Sequence, residues 1–186
     1  MVPEFLTHYY EASIGPFVSL SDLSDEDAEE VLEMLREEAK VFASRRPEDY
    51  LESRWGIETL LRHLFMQKGG QPRRAHPHYM VLGECPWLKS WYPKGRELQI
   101  PLYYFSRDMI SFTYGDTFPA MRTKDGKPYR GRIYMLDELP ALIEEFGLPQ
   151  DWNADGQFGP ERYIEAHIWD NAPIVRFMTE SQHIVF

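Results

Sequence analysis

Hydrophobic and polar residues alternate along Phe5–Ala12 (FLTHYYEA), placing Phe5, Thr7, Tyr9 and Glu11 on one face and Leu6, His8, Tyr10 and Ala12 on the other. That pattern, rich in aromatics and ended by Gly15-Pro16, predicts a strand. The period then lengthens. Ala28, Val31, Leu32, Leu35, Ala39 and Phe42 fall at helical spacing behind Ser24, a good N-cap, and Asp25, Glu26 and Asp27 occupy a first turn where the helix dipole favours negative charge. This helix is expected to reach Ser44. Pro47 opens a second, with Leu51, Trp55, Leu61, Leu64 and Phe65 on its apolar side and Gly69 beyond its end. The short joint at Arg45–Pro47 predicts a helical hairpin.

From His76 onward the pattern is β-like. Strands are expected at Tyr79–Leu82, Glu97–Leu102 and Met109–Tyr114. Asp125-Gly126 is a type I′ turn signal and predicts a hairpin joining Ala120–Thr123 to Tyr129–Met135. Leu136–Phe146 predicts a helix closed by Gly147. In Arg162–Trp169, Ile164, Ala166 and Ile168 are expected to face the core, with Tyr163, Glu165, His167 and Trp169 facing away. The tail from Asn171 is expected to be an edge strand or a loose end. The predicted fold is α+β in a single domain, 1–186. Its helical part spans about 20–70 and packs on a mostly antiparallel sheet of about five or six strands, drawn from about 76–170, with one further helix.

Charge adds a second pattern. The net charge of −10 argues against DNA or an anionic membrane surface as partner. It is unevenly spread: 15 acidic and 6 basic residues over 1–63, 5 and 12 over 64–135, and 10 and 2 over 136–186. The middle is a basic island mixed with aromatics, and Arg74, Lys89, Arg96, Arg130 and Arg132 are its candidate ligand-binding residues, for a phosphate-bearing small molecule or an acidic protein surface. The N-terminus has no signal-peptide pattern, no run is long enough for a membrane span, and a lone cysteine cannot form an internal disulfide. A cytoplasmic protein is expected, with its oligomeric state left open.

Metal and nucleophile motifs are incomplete. Asp151, Asn153, Asp155 and Gly156 follow the start of a Ca²⁺ loop, but the position needing a bidentate Glu is Arg162. His76, His78 and Cys85 do not have a zinc-site spacing. Cys85, with His76 or His78 as base, sits before Pro86 in apolar surroundings that would raise the thiol pKa. Neither G-x-G-x-x-G nor a P-loop is present, so no metal and no cofactor is expected.

Two resemblances follow. His8-Tyr9 on a first strand, Tyr114 on a middle strand and Glu165 on a late strand resemble the His–Tyr–Glu order of ADP-ribosyltransferases. That resemblance implies that His8 and Tyr114 hold NAD while Glu165 directs transfer. Tyr10 stands where that family has a small residue, and Tyr163 where many members carry a second acid. Over most of its length, with LGECPWLKSWY, SFTYGD and GPERYIE, the chain resembles a group of uncharacterised bacterial proteins, which implies a stand-alone bacterial domain and no particular activity. Three function classes are therefore carried forward: a protein binding an anionic ligand or acidic partner, an NAD-consuming transferase, and an acidic immunity-type protein that neutralises a basic partner through its helices.

Overall fold

The computed structural model describes residues 1–38, 44 and 46–180. Six strands form one antiparallel sheet: β1 (Phe5–Glu11), β2 (His78–Leu82), β3 (Gly95–Pro101), β4 (Ile110–Tyr114), β5 (Tyr134–Met135) and β6 (Ile164–Ile168). Their order is β3-β1-β2-β6-β4-β5, so the last strand in sequence lies near the middle of the sheet. The helices are α1 (Asp25–Glu38), α2 (Tyr50–Gln67), α3 (Pro86–Lys89), α4 (Thr117–Arg122), α5 (Leu139–Phe146), α6 (Pro149–Trp152) and α7 (Val175–Glu180). The α+β class with an antiparallel sheet is as the hydrophobic pattern predicts. Among the described residues no helix is long and apolar enough to cross a membrane.

Local chemistry explains where the helices begin and end. Ser24 Oγ accepts from the Asp27 amide at 3.2 Å, capping α1. Pro140 fits the first turn of α5, and Gly147 ends that helix at φ +75°, its amide donating to Ile143 O at 2.9 Å. Ala28 and Leu32 of α1 pack with Tyr50 and Leu51 of α2. The joint expected at Arg45–Pro47, and the last turns expected for the first helix, fall partly outside the described residues.

The two faces of the sheet differ in chemistry. On one, Leu6, Met80, Leu82, Ile100, Ile110, Phe112, Tyr114, Ile164, Ala166 and Ile168 form the main core, closed by Leu139, Leu142 and Ile143 of α5. On the other, strand register brings Tyr79, His167 and Ser111 into one row and Thr7, Val81, Glu165 and Thr113 into the next. Helices α2 and α4 cover this second face, with Ile57, Leu61 and Phe65 of α2 packed on Met135 and Trp169. Every residue of β6 is therefore buried, including the Glu165–His167 side expected to face away from the core. A strand covered on both faces still alternates in polarity when one cover supplies polar partners.

Two sequence expectations are corrected. Ala120–Thr123 is not a strand: Asp116 caps α4 by accepting from the Phe118 amide at 2.9 Å, and Thr117–Arg122 is helical. Gly126 does take a positive φ of +76°, but Asp125 is held by Arg130 (2.8 Å) inside a long loop, and only Tyr134–Met135 pairs with β4. In the tail, Val175–Glu180 is helical and not an edge strand, and residues 181–186 lie outside those described.

Phe112 is fully buried in the main core, whereas Ile14 is 58% exposed. Phe112→Ala should cost about 3–5 kcal/mol in urea unfolding through lost transfer energy and a residual cavity. Ile14→Ala should stay within about 0.5 kcal/mol, and equal losses at the two positions would contradict this assignment of the core.

Candidate functional site

The polar face of the sheet carries two linked clusters. The first is built around Glu58, which has no solvent exposure. Its Oε1 accepts from Tyr79 Oη (2.8 Å) and Ser21 Oγ (3.0 Å) and pairs ionically with Arg54 Nε (3.0 Å), while His76 Nδ1 approaches Oε2 at 2.6 Å. Arg54 also donates to Ser21 Oγ (2.7 Å) and Tyr50 Oη (3.0 Å), and its guanidinium stacks 5.0 Å from the centre of the Tyr79 ring. Burial works to lower the Arg54 pKa, but Tyr79, Tyr50 and Glu58 around it raise it on balance, so the guanidinium stays charged. Burial pushes the Tyr79 hydroxyl well above its ordinary value, keeping it neutral.

The second cluster is a carboxyl pair. Glu165 projects from β6, and Asp116 stands in the turn after β4. Glu165 Oε2 accepts from the Thr117 amide at 2.8 Å and from the Thr117 hydroxyl. Asp116 Oδ1 accepts from the Phe118 amide, and Oδ2 from Tyr163 Oη at 3.0 Å. Burial, and then the charge of Asp116, push Glu165 up to about 8. Burial likewise raises Asp116, against the opposing pull of its hydrogen bonds and of Arg54 and Arg46. Arg46 lies over the Tyr50 ring at 4.4 Å, electrostatically coupled to Asp116 and Tyr92. No Asp or Glu among the described residues forms a salt bridge with it.

Although β2 and β6 are central strands, Tyr79 and Asp116 are only half-buried and Glu165 keeps 9% exposure. Solvent therefore reaches this face between α2 and the turn after β4. Two surface depressions lie elsewhere: one between α2 and α4 beside Glu52 and Met121, the other beside Lys68 and Arg132. Neither contains the carboxyl pair. Convergent polar groups with shifted pKa values, rather than concavity, mark the Asp116–Glu165 pair as the candidate site.

The residues singled out from sequence are dispersed. Arg74 pairs with Asp22 and donates to Asn171 Oδ1 (2.8 Å), and Lys89 pairs with Glu97 (3.3 Å). Arg130 pairs with Asp125 and with the buried Glu161. Arg96 and Arg132 are exposed, one on β3 and the other just before β5, at opposite edges of the sheet and roughly five strand spacings or ~24 Å apart. Of the three residues resembling the transferase pattern, Glu165 reaches the cleft. Tyr114 pairs with Ile164 and therefore points to the opposite face, where it donates to Phe146 O at 2.8 Å. His8 shares that apolar side, stacked on Phe17 at 4.2 Å, with the Phe17 amide donating to its Nε2.

The remaining motifs have structural partners. Asn153 turns inward, donating to Gly159 O (2.9 Å) and Glu161 O (2.6 Å) and accepting from the Phe158 amide (2.8 Å). His76 meets Glu58, His78 meets Asn171 (3.1 Å), and Cys85 accepts no base: its amide donates to Tyr9 Oη (2.8 Å), and burial raises its thiol pKa. Among the described residues no three His, Cys, Asp or Glu side chains are grouped to hold a metal ion. Met34 on α1 and Leu23 just before it are exposed apolar residues eleven positions apart rather than a continuous stripe. No family model matches this chain, and neither a curated protein nor a solved structure is similar to it.

The pKa shifts predict a pH dependence of stability. Glu165 is raised from 4.5 to about 8, so its contribution is fully present below about pH 4.5 and is lost as pH rises through about 8. His167, lowered by burial from 6.5 to about 3, contributes the opposite slope: its stability is present above about pH 6.5 and lost toward about 3. Urea unfolding of Glu165→Gln should therefore show a smaller decline between about pH 5 and pH 8 than the parent, by a few kcal/mol. Parallel profiles for the two proteins would contradict the assignment of that proton.

Proposed function

We propose that the chain is an enzyme acting on a small polar substrate through acid–base chemistry in the Asp116–Glu165 cleft. One observation carries this: two carboxyl groups from separate parts of the chain are held on neighbouring amides, Asp116 on that of Phe118 and Glu165 on that of Thr117, both under the influence of Arg54, in a central, partly exposed region of the sheet. A purely structural layer does not need such a pair. Two neighbouring carboxyls cannot both ionise cheaply in a desolvated site, so one retains its proton at neutral pH while the other carries charge.

In this scheme Glu165 is the proton donor. Its proton is available near pH 7 because burial and the charge of Asp116 hold it there. Asp116, fixed by Tyr163 and the Phe118 amide, stabilises positive charge developing on the substrate. Arg46 receives an anionic group of the substrate, a phosphate or a carboxylate. The phosphate-bearing ligand expected from the basic island is thus assigned to this cleft, since Arg74, Lys89 and Arg130 already have carboxylate partners. Arg54, committed to Glu58 and Tyr50, contributes fixed positive field rather than a direct grip. An NAD-consuming transferase draws less support, because Tyr114 lies on the other side of the sheet from Glu165.

A panel of nucleotides including NAD, sugar phosphates and phosphorylated carboxylic acids, read by thermal shift and then by turnover, tests the proposal. Arg46→Gln should weaken the best ligand about tenfold or more, as expected for losing one charge-assisted hydrogen bond. Glu165→Gln should reduce turnover roughly 10²–10⁴-fold while binding persists. If Glu165→Gln turns over at the parent rate, the catalytic assignment is wrong. If Arg46→Gln binds as the parent does, the substrate's anionic group is not in this cleft.

A further inference from the structure

A chain of buried hydrogen bonds leads away from Glu165 through Thr117 and His167 to Ser111 and Trp169. Thr117 Oγ1 lies between Glu165 Oε2 and His167 Nε2, which is 2.7 Å away. His167 Nδ1 lies 3.2 Å from Ser111 Oγ, and Ser111 Oγ accepts from Trp169 Nε1 at 2.9 Å. Thr117, His167, Ser111 and Trp169 are all fully or almost fully buried, so none can be satisfied by bulk water.

Counting donors assigns a direction. The indole of Trp169 can only donate, so Ser111 has one hydrogen left and donates it to His167 Nδ1. His167 must then carry its proton on Nε2 and donate to Thr117 Oγ1. Thr113 cannot supply a competing hydrogen, since its hydroxyl donates to Gly115 O at 3.0 Å. The single hydrogen of Thr117 goes to Glu165 Oε2, which also accepts from the Thr117 amide. The reverse orientation would require His167 to donate from Nδ1 to Ser111 and would strand the Ser111 hydrogen without an acceptor among these groups. Because Oε2 already accepts two hydrogen bonds, the Glu165 proton is left to Oε1.

We propose that His167 is a positioning residue: held as the neutral Nε2–H tautomer by Ser111 and Trp169, it orients the Thr117 hydroxyl toward Glu165 Oε2 and so directs the Glu165 proton to Oε1, on the cleft side. This deepens the acid–base function proposed above and rests on it. His167 is no proton relay, since burial lowers its pKa to about 3 and it does not become an imidazolium at neutral pH. The other titratable groups facing Glu165 are Asp116 from the turn after β4, Arg54 from α2, Tyr79 from β2 and Tyr163 beside β6. None of them contacts Oε2.

The experiment uses the full chain labelled with ¹⁵N-histidine, with a spectrum recorded near pH 7. His167 should show a protonated Nε2 and a bare Nδ1, with no change down to about pH 5. A protonated Nδ1 would overturn the proposal whatever the protein catalyses. Ser111→Ala, a small change, should release the tautomer into a mixture and shift the pH profile of Glu165, followed by ¹³C-carboxyl NMR, by at least half a unit. His167→Gln, whose amide NH₂ can still donate to Thr117, should keep the Glu165 titration closer to the parent than His167→Leu does. If Ser111→Ala leaves both the tautomer and the titration unchanged, or if Gln and Leu behave alike, His167 only fills space. Loss of turnover in Glu165→Gln with a mismatched tautomer would sustain the acid–base function while rejecting the positioning role of His167. The expected tautomer in a protein where Glu165→Gln is fully active would do the reverse, leaving a structural network only.

Discussion

A carboxylate with no access to water must find all its partners inside the protein, and Glu58 finds them in four separate places. Arg54 lies one turn earlier on α2, Ser21 lies in the 3-10 turn before α1, His76 lies in the approach to β2 and Tyr79 lies on β2 itself. The contact with Arg54 lies within α2, and the other three tie α2 to the turn before α1 and to β2 and its approach. Removing one partner would leave a buried charge incompletely compensated, which costs several times more than the contact contributes. The position of α2 over the sheet therefore depends on Glu58. Arg74 adds a weaker tie at the same end, joining Asp22 to Asn171.

The two sides of the sheet divide the tasks of stability and chemistry. The face under α5 is apolar and contributes through burial. The face under α2 and α4 places Thr7, Ser111, Thr113, Tyr79, Glu165 and His167 where aliphatic side chains would be more stabilising. Hydrogen bonds offset most of that cost, but burial and the charge of Asp116 hold Glu165 away from the ionised state it would adopt in water at neutral pH. A preorganised site has this signature: strain tolerated locally because the apolar face supplies the margin.

The strands that alternate cleanly were legible in the sequence, and β1, β4 and β6 lie within two residues of the expected bounds. The Asp125-Gly126 hairpin was not, because a turn signal reports only local backbone. The positive φ at Gly126 is real, but Asp116 and Thr117 start a helix before it, and Arg130 uses Asp125 as an ion-pair partner. In the site, Glu165 was singled out by the His–Tyr–Glu resemblance, although His8 and Tyr114 lie on the other face of the sheet. Arg54 and Glu58 were not singled out. A signal was present: Arg54, Glu58, Leu61 and Phe65 recur at helical spacing, so the charged pair falls on the stripe that carries the apolar residues. Asp116 had no comparable signal, since a loop carboxylate gains its meaning only from what folds against it. The basic island was a true feature of the composition, yet proximity in sequence did not become proximity in space once its residues were divided between the two edges of the sheet.

The central position of β6 has a consequence for how the chain is made. β2 and β4 flank β6 and do not pair with each other, so until Ile164–Ile168 arrives the sheet exists as two separate pieces, each with an unpaired inner edge. At a synthesis rate of ~5–20 residues per second, the interval between the appearance of β2 and that of β6 is on the order of ten seconds. Throughout it, β2 presents Met80 and Leu82, and β4 presents Ile110 and Phe112, beside open backbone donors and acceptors. The nascent protein is thus most vulnerable to association with other chains just before its last strand emerges, and a ribosome pausing ahead of Ile164 would prolong that exposure.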